Sequence, residues 1–252
     1  MDIGLKGKKA IITGGSRGIG RAIADTLAAE GADVALCARN ADALGESADA
    51  LRKAGGKVFA QAVDVSDADA LKAFINEAIS ELGGLDILVS NPSGGNGVDE
   101  ASWKANFEVD LMGAVRSVEA ALPALAESDA ASILFIGTTA AVETFMGPTS
   151  YNALKAALIT HANGLSQSLA GQGVRVNTIS PGPIFIEGGS WDMIKQFNSA
   201  IYEQALKDHP GGEMGEASDV ANAAAFLSSP AARHITGVNL VVDGGFTKRV
   251  NF

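Results

Sequence analysis

Seven short apolar runs punctuate the chain: KAIIT, DVALCA, KVFAQAV, DILVS, SILFIG, RVNTI and NLVVD. Each has the length of a strand and is apolar almost throughout, without the alternation of a half-exposed strand. Between most of them lie longer stretches with helical apolar spacing, such as RAIADTLAAEG, ADALKAFINEAISELG and ASDVANAAAFLSS. Gly31, Gly83 and Gly173 close helical stretches as C-caps do. Alternating β and α with near-continuous apolar strands predicts an α/β fold, a seven-stranded parallel sheet covered by helices on both faces. The pattern shows no linker or repeat, so residues 1–252 read as a single domain. One segment breaks the rhythm. Residues 182–216 form a long excursion between the sixth and seventh strands, with a helical middle between Gly-Gly pairs. It leaves the carboxyl end of a strand, so it reads as a helical substrate lid in preference to a peripheral hairpin.

Composition narrows the function. The chain is 47% hydrophobic and 19% charged, with a formal net charge of -10. That acidic balance argues against nucleic acid and anionic membranes as partners. There is no apolar run long enough to span a bilayer, and the first residues lack the apolar core of a signal peptide. Cys37 is the single cysteine, which excludes an internal disulfide. A cytoplasmic setting is expected. His161, His209 and His234 are scattered, so no metal site is expected.

The first strand runs into TGGSRGIG, with Gly14, Gly18 and Gly20 between strand and helix. A glycine turn in that context lets backbone amides approach a pyrophosphate, and the helix N-terminus adds a favourable dipole. The doubly wound domain is therefore expected to be of the Rossmann, dinucleotide-binding type. Ser16, Arg17 and Ile19 fill the turn, and the second strand ends at Ala38 and Arg39. NAD-selective folds commonly carry an acidic residue there. Two guanidinium groups at Arg17 and Arg39 instead suit a ribose 2′-phosphate, which favours NADP(H) over NAD(H).

The Gly-x-x-x-Gly-x-Gly spacing, together with Tyr151 and Lys155 far downstream, resembles the short-chain dehydrogenase/reductase family over nearly the whole chain. Within the family the chain looks like the 3-oxoacyl-carrier-protein reductase branch. The resemblance implies that Asp64 and Val65 border the adenine, that Asn91 ties strands beside the cofactor, and that Pro181, Gly182 and Ile184 meet the nicotinamide. It also implies homo-oligomers, tetramers or dimers, paired through helices after the fourth and fifth strands.

Tyr151 and Lys155 are four residues apart, on one face of a helix. A free phenol has a pKa of about 10, and bringing it to neutrality takes about 4 kcal/mol. A unit charge at about 4 Å in an effective dielectric of about 20 supplies energy of that order. Tyr151 is thus expected to act as acid and base toward a carbonyl or secondary alcohol, tuned by Lys155, which in the family also holds the nicotinamide ribose. The family's serine is replaced by Thr138, which keeps a hydroxyl donor. The family's asparagine, which positions a relay water, is replaced by Asp110. Asp110 either accepts from that water and favours an ionised Lys155, or only stabilises its helix. Pro183, Glu187, Trp191 and Met193 in the lid, with Phe145, Met146 and Thr138, are expected to wall the substrate pocket. The expected function is an NADP(H)-dependent oxidoreductase of small-molecule carbonyls and alcohols. Thr138, Asp110 and the altered SNPSGG loop leave open a non-catalytic nucleotide-binding regulator; a methyltransferase fits the Tyr-Lys pair and the arginines poorly.

Overall fold

The computed structural model describes residues 2–53, 55–145 and 147–250. All seven expected strands form: β1 (Lys9–Thr13), β2 (Asp33–Ala38), β3 (Val58–Ala62), β4 (Ile87–Ser90), β5 (Ser132–Ile136), β6 (Arg175–Pro181) and β7 (Asn239–Val242). They make one parallel sheet in the order β3-β2-β1-β4-β5-β6-β7. The continuous apolar runs have a direct cause. Successive residues point to opposite faces, and both faces are buried. Ile11, Ile133 and Phe135 enter one core, whereas Ala10, Ile12, Leu134 and Ile136 enter the other.

The first core is closed by α3 (Ala68–Leu82), α5 (Gly113–Leu125) and α6 (Ser150–Leu169). The second is closed by α1 (Gly18–Ala29), α2 (Ala41–Lys53) and α9 (Ala217–Ser228). Local chemistry sets the helix ends. Asp67 caps α3, Thr149 caps α6, and Gly83 ends α3 in the left-handed conformation. After β4 the chain makes α4 (Glu100–Asn106), a π-helical segment (Phe107–Met112) and then α5 without a break.

The excursion after β6 folds as α7 (Ser190–Phe197) and α8 (Ser199–Asp208). Its ends meet at a parallel bridge between Ile184 and Gly215, where Phe185 N–H donates to Gly215 O at 2.8 Å. Among the described residues, no helix is long and apolar enough to cross a membrane.

Strand order reverses between β1 and β4, which opens a crevice beyond their carboxyl ends. Here α1 approaches the sheet closely. A Cβ on Gly20 would overlap Gly14 O and the Asn91 amide. Gly20→Ala should therefore lower stability by about 1–3 kcal/mol. Urea unfolding measures this, and an unchanged midpoint would contradict the close packing.

Candidate active site

The glycine turn lies at one end of the crevice. Gly14 takes a positive φ of 70°, and its N–H donates to Cys37 O at 2.9 Å. Asn91 Nδ2 donates to Gly14 O at 3.0 Å, so the loop after β4 is tied to the turn. The α1 N-terminus follows, with Arg17 at the cap and no side-chain hydrogen bond there. Its N–H groups and positive dipole end are thus left to an anion. Arg17 and Arg39 are both exposed on this flank. Asp64 lies beside Arg39; the Ser66 N–H and hydroxyl, at 2.9 and 2.7 Å, and then the Arg39 charge hold its carboxyl below the usual range. Val65 is buried, with its side chain in the core. Uncapped helix, glycine cradle and paired guanidinium groups fit a dinucleotide.

At the other end is a cleft of about 420 Å³. Thr149, the α6 cap, puts Tyr151 in the first turn and Lys155 one turn later, and both line the cleft. Thr138 follows β5, half-buried; its Oγ1 accepts from Ala140 N–H at 3.3 Å, and the hydroxyl remains able to donate. It neighbours the Tyr151 phenol and favours its ionised form. Thr139 is buried more deeply, at 6% exposed. Ile19, Asn91, Pro181, Gly182, Pro183 and Ile184 also line this cleft. Gly14, Ser16, Gly18 and Gly20 stay with the turn.

Lys155 is 2% exposed and meets three acceptors: Ile136 O at 2.9 Å, Pro92 O at 3.2 Å and Asp110 Oδ1 at 3.1 Å. The two carbonyls accept hydrogen bonds from the ammonium, and Asp110 adds a charge contact. Asp110 is not in the cleft. It lies behind Lys155 on the π-helical segment, 1% exposed, at a distance that leaves no room for an intervening water. Its Oδ2 accepts from Gly94 N–H and from Asn106 Nδ2, both at 2.8 Å. The contact with Lys155 is charge to charge, since Oδ1 makes no hydrogen bond of good geometry.

The same arrangement sets the surroundings of the phenol. Burial first, and then the Asp110 carboxylate, push the Tyr151 phenol up to about 12, against a lowering by the Thr138 hydroxyl. Asp110 sets a negative charge 3.1 Å from the Lys155 ammonium that was expected to tune the phenol.

The mouth of the cleft is aromatic. Phe145 meets Trp191 at 6.0 Å and Phe246 at 5.5 Å between ring centroids. Two expected wall residues are not among the lining. Glu187 is exposed, and Met193 is 49% exposed, because α7 turns Trp191 and Ile194 inward instead. Met146 lies outside the described residues. Phe246, Asn96 and Asn152 line the cleft without having been singled out from the sequence. Phe246 follows β7, and its place just beyond a strand's carboxyl end was the available signal.

A family model described as Enoyl-(Acyl carrier protein) reductase matches residues 14–247. Isoepoxydon dehydrogenase of Penicillium expansum is 35% identical over 256 residues, spanning 97% of this chain and 96% of its own. L-sorbose reductase of Gluconobacter frateurii, solved with NADPH and L-sorbose, superposes with a TM-score of 0.92 at 32% identity, covering 99% of this chain and 100% of that one. A 7α-hydroxysteroid dehydrogenase solved with NADH and 7-oxo glycochenodeoxycholic acid gives 0.91 at 34% identity, covering 99% and 98%. With these matches on the fold and cleft described above, the chain belongs to the short-chain dehydrogenase/reductase family, oxidoreductases that act on alcohols and carbonyls with a nicotinamide cofactor.

Proposed function

We propose that the chain is an NADP(H)-dependent reductase of small-molecule ketones and the corresponding secondary alcohols. The observation that carries this reading is the convergence of Tyr151, Thr138 and Lys155 on one aromatic-mouthed cleft beside the glycine turn. When bound, the reduced nicotinamide supplies the hydride for the carbonyl carbon. The protein's part is proton transfer and positioning. The Thr138 hydroxyl donates to the substrate oxygen and polarises it, and Tyr151 delivers a proton to that oxygen. The phenol then recovers a proton from solvent. Lys155 would hold the nicotinamide ribose with the donor it now gives to Pro92 O at 3.2 Å. Gly14 to Gly20 would hold the pyrophosphate, Asp64 and Val65 the adenine side, and Pro181 to Ile184 the nicotinamide side.

Arg17 and Arg39 favour the 2′-phosphate of NADP(H), for which guanidinium offers bidentate bonds. NAD(H) is the second choice, and the solved relatives include complexes with NADPH and with NADH. The aromatic mouth suits a substrate with an apolar body, and α7 and α8 serve as its lid. Trp103 and Phe107, 43% and 45% exposed on α4 and the π-helical segment, suit a homo-oligomer contact. A regulator without catalysis has the shared placement of Thr138, Tyr151 and Lys155 in the cleft against it.

Two measurements test the reading. Arg39→Asp should raise KM for NADPH about 10- to 100-fold and leave KM for NADH nearly unchanged; a preserved NADPH preference refutes the assignment of the arginine. Thr138→Ser should keep most of kcat, whereas Thr138→Val should lose about 10²- to 10³-fold. Equal turnover by all three forms removes Thr138 from the reaction.

A further inference from the structure

A chain of buried polar side chains runs behind the cleft, and the reaction above does not use it. Ser150, Asn106 and Asp110 are each no more than 1% exposed. The Ser150 hydroxyl lies 2.9 Å from both Asn106 Oδ1 and Gly97 O. The Asn106 amide nitrogen donates to Gly95 O at 3.0 Å and to Asp110 Oδ2 at 2.8 Å. Gly94 N–H gives that same oxygen a second bond at 2.8 Å. Two N–H donors on one oxygen and an ammonium 3.1 Å from the other are the surroundings of an ionised carboxylate. The foot of the Tyr151 helix therefore carries a buried ion pair where a lone ammonium would stand.

The difference matters for proton transfer. A lone cation favours phenolate, whereas a neutralised one does not. We propose that Asp110, oriented by Asn106, is a positioning residue that cancels the charge of Lys155 and keeps the Tyr151 proton in place through the alkaline range. The proposal rests on the reductase reading above. In reduction the substrate carbon gains hydride, its oxygen takes the Tyr151 proton, and the phenolate is reprotonated by solvent. That direction needs the phenol, so it is flat across neutral pH. Alcohol oxidation needs the phenolate to accept the proton, so it keeps rising with pH.

Other charges around the first turn of α6 are engaged elsewhere. Glu108 on the π-helical segment pairs with Arg116 at 2.8 Å, and Lys104 on α4 pairs with Glu100. Glu143, beyond the turn after β5, accepts from Lys248 N–H at 3.2 Å. Asp243, after β7, takes Gly245 N–H and the Thr247 N–H and hydroxyl. His161 lies further along α6 itself, beside Phe135. Among the described residues, Tyr151 and Lys155 are the ionisable side chains that line the cleft. The raised phenol described above agrees with this balance in sign.

The chain has two tyrosines, so Tyr202→Phe leaves one phenol to observe. In that background, near-ultraviolet tyrosinate absorbance of the full chain is followed against pH. Tyr151 should stay protonated until alkaline unfolding. Asp110→Asn should ionise earlier by about one unit or more, and Asn106→Leu by part of that shift. Asn106→Gln, which keeps an amide, should lie nearer the parent. The pH at which NADP-dependent alcohol oxidation levels off should fall in the same order. Circular dichroism confirms folding, and if Asp110→Asn fails to fold, the Asn106 pair decides. Coincident titrations in folded variants, or loss of rate without a shifted pH profile, overturn the proposal. A shifted titration with no turnover of any carbonyl overturns the reductase reading and with it the role in proton transfer, and leaves only the charge effect.

Discussion

A buried ammonium is the constraint around which this active site is arranged. Taking Lys155 out of water costs several kcal/mol unless its donors are matched. Its partners come from three places: the carbonyls of Ile136 at the end of β5 and Pro92 just after β4, and the charge of Asp110 on the π-helical segment. The parallel ladder makes this possible. Ser90 pairs with Phe135, which brings the two carbonyl-bearing strand ends to one level. The lysine can sit on α6 only because sheet register and helix register agree there, and Tyr151 is placed by the same turn.

Much of this was legible in the sequence. The strands announced themselves because both faces of the sheet are buried, which turns alternation into continuous apolar runs. The glycine turn, Thr138, and the spacing of Tyr151 and Lys155 were readable because their geometry is local to one turn or one strand end. Asn106 and Ser150 were not. Polar residues on a helix ordinarily face solvent, and only the tertiary fold shows that these two are sealed between α4, α6 and the loop at 94–97. The same loop looked altered in sequence without an evident purpose. Its backbone supplies Gly94 N–H to Asp110 and the Gly95 and Gly97 carbonyls to Asn106 and Ser150.

The mouth of the cleft shows where position along the chain misleads. Glu187, Trp191 and Met193 all follow β6 and all looked like wall residues. A helix presents positions three or four apart on one face. Once α7 forms, Trp191 and Ile194 share the inner face, and Met193 is turned outward. Phe145, Trp191 and Phe246 come from three separate connections, so the aromatic mouth exists only in the assembled fold. Reading it from sequence would require knowing that the segments after β5, β6 and β7 converge.

The π-helical segment also constrains how this chain can evolve. A π turn holds one residue more than an α turn, so losing a single residue between 107 and 112 would restore ordinary helical winding. That local relief would leave the flanking helices facing as they do but close the wide turn that carries the carboxylate at 110. A one-codon loss would spare the packing of α5 on the sheet and give up the placement of the buried charge beside Lys155. Length in this segment thus matters to the site as residue identity does, although none of its side chains lines the cleft.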